Sequence, residues 1–441
     1  MARYLLVGFG VTNQAVADAL TRRGHDIVVC DDAAGAPALL AANERGIDLV
    51  ERPDAATYER LVGEADVVVP SPGIGDVHLA LDVARRAGVP VRSEFDLATE
   101  WDEPPLLAIT GTDGKTTVTA LTTAMLQASG VRAASAGNTE VPLVAAIDNP
   151  AVDVFVVEAS SFRIDHSERF APKVGTWLNF SPDHLNLHRS LESYELAKAK
   201  LWRDQSAEDV AIGSIDDEVV MRHLRRASAR QLTFGARTVA DYHVDDDRLV
   251  TDTGDTLVRV DELPRRFPHD ITNSLAAAAT ALSGGATLEG CRDALTRFQG
   301  LPHRIALVGE DDSVRWFDDS KATTPNATLT ALRALPSVVL IAGGQNKGLD
   351  LGVLAAAADH VRAVVAIGDA AADVETAFDG IRPVVVAGSM HDAVSAARRL
   401  AHRGDSVLLS PACASFDWYR SYGERGDDFS NEVRSLIGAP S

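Results

Sequence analysis

Short apolar runs alternate along this chain with stretches whose apolar residues recur at helical spacing, the pattern of strands followed by covering helices. The first run, Tyr4–Val7, meets the turn Gly8-Phe9-Gly10 and a helix to about Arg23. Strand Ile27–Cys30 ends at Asp31-Asp32, and strand Asp66–Pro70 ends at Ser71-Pro72-Gly73. Leu106–Thr110 stops at a glycine turn, after which Val118, Leu121, Met125 and Leu126 form the apolar face of a helix ending at Gly130. Strand Val152–Val157 ends in Glu158, and Val174–Leu178 leads to Asn179, Asp183 and His184. Between about Val210 and Val260 the pattern breaks into short β-like pieces, and a helix returns from Asn273 to about Ala281. Beyond Gly300-Leu301-Pro302-His303-Arg304 the strands are Val314–Phe317, Val338–Ile341, Ala363–Ile367, Val384–Val386 and Val407–Leu409. Strands alternating with helices predict parallel sheets with ligands at the strands' C-terminal ends. The expectation is an α/β protein of three domains, at 1–92, 93–300 and 301–441.

Composition narrows the partners. The 441 residues are 46% hydrophobic, enough for full cores, and carry a net charge of −21. Such a field repels nucleic acid and anionic membrane, and would repel a nucleotide too, so any anionic ligand needs a local cluster of cations. Cys30, Cys291 and Cys413 lie far apart without metal-ligand spacing, which fits a reducing compartment. No apolar run approaches membrane-spanning length and no signal pattern opens the chain, so a cytoplasmic location is expected.

The candidate chemistry starts at Gly111-Thr112-Asp113-Gly114-Lys115-Thr116-Thr117. A glycine turn between strand and helix offers backbone N–H groups to phosphate oxygens. Lys115 can reach terminal phosphates and the Thr116 hydroxyl can hold Mg²⁺. The usual phosphate-loop pattern wants a glycine where Ile109 stands. Glu158 suits a Mg²⁺-holding carboxylate, or a helix cap or surface ion pair; His184 is equally readable as structural. Lys198, in an amphipathic stretch, reads by itself as a solvated lysine on an exposed face. Arg304, Lys321 and Lys347 stand beside strand ends or glycine turns of the third unit, either as an anion site or as unrelated surface charges. Gly8-x-Gly10 with Asp31 resembles the opening of a dinucleotide fingerprint, but Asn13 replaces its third glycine. A Rossmann-like unit binding some nucleotide is favoured there over one binding NAD.

In their order along the chain these signals resemble the Mur ligase family, and within it the glutamate-adding branch. The loop at 111–117 is similar to the family's Gly-Thr-Asn-Gly-Lys-Thr-Thr, which accounts for Ile109. The resemblance continues through Ser71-Pro72-Gly73-Ile74, Gly137-Asn138, Glu158-Ala159-Ser160-Ser161-Phe162, and Leu178-Asn179 with Asp183-His184. It runs on through Tyr194 to Lys198, His269 to Asn273, Gly300 to Arg304, Asp319 to Thr323 and Leu409 to Asp417. It implies a Rossmann-like N-terminal unit, a central P-loop ATPase domain with a mostly parallel sheet, and a Rossmann-like C-terminal domain. ATP would phosphorylate the carboxylate of UDP-N-acetylmuramoyl-L-alanine, and the amine of glutamate would attack the acyl phosphate, in peptidoglycan precursor synthesis.

By the same resemblance, Gly111 to Thr117 with Asn273, Arg304 and Asp319 would bind ATP. Lys115, Glu158, His184 and Lys198 would be catalytic; Thr116, Glu158, His184 and Lys198 would serve Mg²⁺, with Lys198 as a carbamate. Ser71, Gly73 and Asn138, with Thr12 and Asp32, would hold the UDP-sugar. Lys321, Thr323, Lys347, Ser415 and Phe416 would receive glutamate, whose two carboxylates call for cations and hydroxyls. Departures stand at Thr139-Glu140, where the family has Ile-Gly, at Asn186, and in the loop Gly343-Gly344-Gln345-Asn346-Lys347-Gly348. The enzyme is expected to be a monomer whose third unit closes over ATP. The rivals are a related ligase adding another amino acid or acting on folate, a nucleotide-driven switch, and an NAD-dependent oxidoreductase.

Overall fold

Three sheets carry the chain in a computed structural model that describes residues 1–102, 104–183 and 187–438. His184 lies outside them. The chain divides into two compact units, Met1–Phe298 and Gln299–Ser441. The first unit holds two sheets. Its four parallel N-terminal strands are β1 (Arg3–Val7), β2 (Asp26–Asp31), β3 (Asp48–Glu51) and β4 (Val67–Pro70), in the order β3-β2-β1-β4. The second sheet comprises β5 (Leu106–Thr110), β6 (Ala133–Gly137), β7 (Val154–Glu158), β8 (Val174–Trp177), β9 (Val210–Ser214), β10 (Arg230–Gly235), β11 (Tyr242–Asp245), β12 (Arg248–Val250) and β13 (Thr256–Arg259). Its order is β13-β12-β11-β10-β9-β8-β5-β7-β6, parallel from β6 to β11 and antiparallel beyond. Strand β5, buried at every residue, therefore lies between β7 and β8, so the loop after it has two strand ends beside it.

The second unit holds β14 (Ala306–Asp311), β15 (Val314–Asp318), β16 (Val338–Gly343), β17 (Val361–Ile367), β18 (Val384–Val386) and β19 (Ser406–Leu409). Their order is β14-β15-β19-β16-β17-β18, parallel except for the first pair. Strand β15 is the one expected at Val314–Phe317, while its hairpin partner β14 escapes the sequence pattern because Ala-Leu-Val-Gly-Glu-Asp does not alternate. The hairpin's two-residue turn uses Asp312 and Ser313 at φ 48° and 62°, without the glycine that normally marks such a turn. Edge strand β3 escapes for a similar reason, having only two apolar residues.

The expected boundary between residues 92 and 93 is packed. Ser93 caps the helix Glu94–Trp101 in a box with Asp96, and Phe95 stacks on Phe170 at 4.7 Å. One apolar core runs from Leu6 and Val16 to Phe155 and Trp177. The helix expected from Asn273 begins earlier, at Pro268, because proline suits a first helical position and the Asp270 carboxylate accepts from the Phe267 amide at 3.3 Å.

Asn13 stands where a dinucleotide fingerprint has glycine, and it is fully buried. Its Nδ2 donates to the carbonyls of Val7 (3.2 Å), Gly8 (2.8 Å) and Val69 (3.2 Å), tying β1 to β4 at their C-terminal ends. Leucine there would strand those acceptors. Asn13→Leu should lower unfolding free energy by about 2 kcal/mol, read from the denaturant midpoint. A shift near zero would show that the carboxamide ties nothing together.

Candidate functional site

The loop after β5 is set by its neighbours. Gly114 takes φ +84°, and a Cβ there would come within 2.7 Å of Asn273 Oδ1, so the loop needs glycine for both backbone and space. The helix Lys115–Ala128 starts directly behind it, and its N-cap Gly114 provides no side-chain cap. Lys115 Nζ donates to the carbonyls of Gly111 (3.0 Å) and Thr112 (2.8 Å).

Lys198 corrects the reading of a solvated lysine. It is 1% exposed, donates to the same Gly111 carbonyl at 2.7 Å, and lies 4.6 Å over the Tyr194 ring. Tyr194 shares a hydrogen bond of 3.1 Å with the Thr112 hydroxyl. Burial, then repulsion from Lys115, drives the Lys198 amine well below its ordinary pKa, against the opposing pull of Asp183 and Asp113. The side chain is thus a buried amine biased toward its neutral form beside a nucleotide-type loop.

Glu158 ends β7, next to β5 and β6. The Asn138 amide donates to its carbonyl at 2.8 Å, and Asn138 Nδ2 to Oε1 at 2.9 Å. Its Oε2 is buried without a hydrogen-bond partner among the described residues. A buried carboxylate oxygen left unpaired fits a cation that takes oxygen ligands. Among the described residues no three His, Cys, Asp or Glu cluster for a metal. A cation such as Mg²⁺, which keeps few protein ligands, could take Glu158 Oε2 as one of them.

On the first sheet, the Ser71 amide donates to the Val7 carbonyl at 2.7 Å, and Gly73 has open space around its Cα. Asp32 accepts from Tyr58 (2.6 Å) and pairs with His78 (2.8 Å). Thr12 accepts from Arg163, which is ion-paired to buried Glu94. Asp31 accepts from the Phe9 and Ala33 amides, both at 2.8 Å, so its carboxylate ties the turn after β1 to its own turn after β2.

In the second unit, Asp319 follows β15 and is buried, accepting from Ser410 Oγ (2.7 Å) and the Ile305 amide (3.2 Å). Burial lifts its pKa to about 7 against the Ser410 hydrogen bond and the charge of Arg304. Lys321 Nζ lies 5.3 Å over the Tyr422 ring, and Lys347 Nζ 5.5 Å over the exposed Phe416 ring. Ser415 is buried, and Thr323 donates its amide to the Lys321 carbonyl.

Two residues of this unit carry positioning roles that sequence reading missed. Arg425, 1% exposed, bonds the Ser320 hydroxyl and carbonyl and the Cys413 and Ala414 carbonyls, joining the loops of Lys321 and Ser415. His303 pairs with Asp318 at 2.6 Å; a Cβ at Gly426 would come within 2.2 Å of the imidazole. The Asp318 hydrogen bond raises the His303 pKa above 6.5. The stability it contributes is complete below that value and lost as pH rises through the raised one. Denaturant resistance should therefore fall as pH rises above 6.5 and through the raised value, more in the wild type than in His303→Gln. Equal slopes would remove His303 from this account.

Family descriptions match at three places: Mur ligase MurD-like, N-terminal domain over 2–93, Mur ligase middle domain over 109–281, and Mur ligase, glutamate ligase domain over 303–413. The UDP-N-acetylmuramoylalanine–D-glutamate ligase of Desulfosudis oleivorans is 39% identical over 98% of this chain and 96% of its own. That of Frankia casuarinae is 40% identical over 98% and 94%. In fold, the chain resembles UDP-N-acetylmuramate-alanine ligase MurC from Thermotoga maritima (TM-score 0.59, 19% identity, 99% of this chain and 100% of that one). It also resembles MurF from Acinetobacter baumannii (TM-score 0.60, 16% identity, 97% and 93%). With three family domains in order and near-full-length relatives at this identity, the chain belongs to the Mur ligase family.

Proposed function

We propose that this chain joins D-glutamate to the carboxylate of UDP-N-acetylmuramoyl-L-alanine at the expense of ATP, forming an amide, ADP and phosphate. The observation that carries the reading is the buried Lys198 amine, 2.7 Å from the carbonyl of Gly111 in the phosphate loop. A free carboxylate is a poor electrophile, so its oxygen first attacks the γ-phosphorus of ATP, releasing ADP and leaving an acyl phosphate. The glutamate amine then adds to the carbonyl carbon, loses its proton, and the tetrahedral centre expels phosphate.

Two anions meet in the first step, and this chain offsets their repulsion. Lys115 and the amides of the loop and following helix hold the transferring phosphates. Thr116 and Glu158 would hold Mg²⁺, which neutralises phosphate charge, and His184 would serve a second ion with Lys198. CO₂ adding to the neutral Lys198 amine, with loss of one N–H proton to solvent, would make a carbamate and turn the lysine into an anionic oxygen donor. Asn273, Arg304 and Asp319 contact ATP on this reading. The buried carboxyl of Asp319 is already bonded to Ser410, so its contact with a ribose would be shared with that hydroxyl. Thr12, Asp32, Ser71, Gly73 and Asn138 hold the UDP-sugar; Lys321, Thr323, Lys347, Ser415 and Phe416 receive glutamate. Among the described residues no helix is long and apolar enough to cross a membrane. We place the reaction in the cytoplasm, on a monomer.

Product mass after incubation with ATP, the UDP-linked acceptor and each glutamate enantiomer tests the proposal. An acceptor–glutamate adduct from the D form alone is expected. An adduct from another amino acid, or from L-glutamate alone, would overturn the substrate assignment.

A further inference from the structure

Strands β5 and β8 run parallel with Thr110 opposite Trp177, and their ladder continues past both strand ends. The Leu178 amide donates to the Thr110 carbonyl at 2.9 Å, and the Thr112 amide to the Asn179 carbonyl at 3.1 Å. Where the loop leaves the sheet, the Asn179 side chain takes over. Its Oδ1 accepts from the amides of Thr112 (3.0 Å) and Asp113 (2.9 Å), and its Nδ2 donates to the Asp113 carbonyl at 3.1 Å. One planar carboxamide thus serves two donors and one acceptor of the loop. Aspartate has no donor for the Asp113 carbonyl, and alanine removes all three side-chain bonds, leaving only the backbone bond from the Thr112 amide to the carbonyl of residue 179.

We infer that Asn179 is a positioning residue that fixes the loop in its nucleotide-binding shape before ATP arrives. The inference rests on the reading of this loop as the ATP cradle. With the amides of Thr112 and Asp113 directed at Asn179, phosphate oxygens are received by the later amides, from Gly114 into the helix Lys115–Ala128, and by Lys115. A loop held in advance spends less binding energy on ordering itself. The Asn179 side chain contributes to nucleotide affinity without touching the nucleotide.

The test measures binding of ADP with Mg²⁺ and, separately, of the UDP-linked acceptor to full-length wild type, Asn179→Ala and Asn179→Asp. ADP affinity should fall at least about tenfold in Asn179→Ala, and further in Asn179→Asp, whose added charge lies under the phosphates. Acceptor affinity should stay within about twofold, because its proposed contacts lie elsewhere. Unchanged ADP affinity in both variants would overturn the inference. So would equal losses for both ligands together with a lowered melting temperature, since Asn179 would then be purely structural. A wild type that binds no ADP would instead sink the reading of the loop, and this inference with it.

Discussion

Replacing Lys198 by methionine should cut ligation by about a thousandfold while leaving the protein as stable as before or more so. The two effects have one cause. Burial and Lys115 lower the Lys198 pKa, so the unfolded chain binds that proton more tightly than the folded one. From the lowered value up to the ordinary 10.5, stability therefore rises with pH, and an apolar side chain escapes the cost. The neutral amine is also the form that adds CO₂. Wild-type activity should thus fall as pH drops through the lowered value and recover with added bicarbonate. In Lys198→Ala, short carboxylic acids should restore part of the activity by supplying an anion where the carbamate would stand. Steady-state rates with and without formate or acetate, beside melting curves, check both halves. Full activity in either variant would remove Lys198 from the chemistry.

Glu158→Gln should have a comparable effect by a different route. The substitution keeps the shape and leaves an oxygen for Asn138, but the charge on the unpaired buried oxygen is lost. A loss of about a hundredfold to a thousandfold in kcat is expected, with a higher Mg²⁺ concentration for half-maximal rate. Asn138→Ala should cost less in kcat, about tenfold, because it removes the group that orients the carboxylate and one acceptor contact but leaves the charge of Glu158 in place. Rates across a Mg²⁺ titration separate the cases. A wild-type Mg²⁺ response in Glu158→Gln would place the cation elsewhere.

The loop at 111–117 was legible because its chemistry is local: glycines, a lysine and a threonine between strand and helix. Glu158 and Asn179 were legible as strand-end residues, since parallel sheets gather such positions at one edge. The setting of Lys198 was not. In the helix Leu191–Ala199 the residues turned inward are Tyr194, Ala197 and Lys198, while Leu191 and Leu196 are 40% and 51% exposed. The apolar pattern therefore points to the wrong face, and only the three-dimensional demand of the loop explains which face is buried. Arg425 and His303 were illegible in the same way, because their partners, Cys413 and Asp318 among them, are joined only by the folding of the third sheet.

The acyl-phosphate route can be followed by its oxygen. With the acceptor carboxylate labelled with ¹⁸O in both positions, ATP, Mg²⁺ and D-glutamate are turned over and the released phosphate is analysed by mass. The account predicts one labelled oxygen in each phosphate and one retained in the new amide. Phosphate without label, released with or without glutamate, would show that the γ-phosphoryl group never reaches the acid.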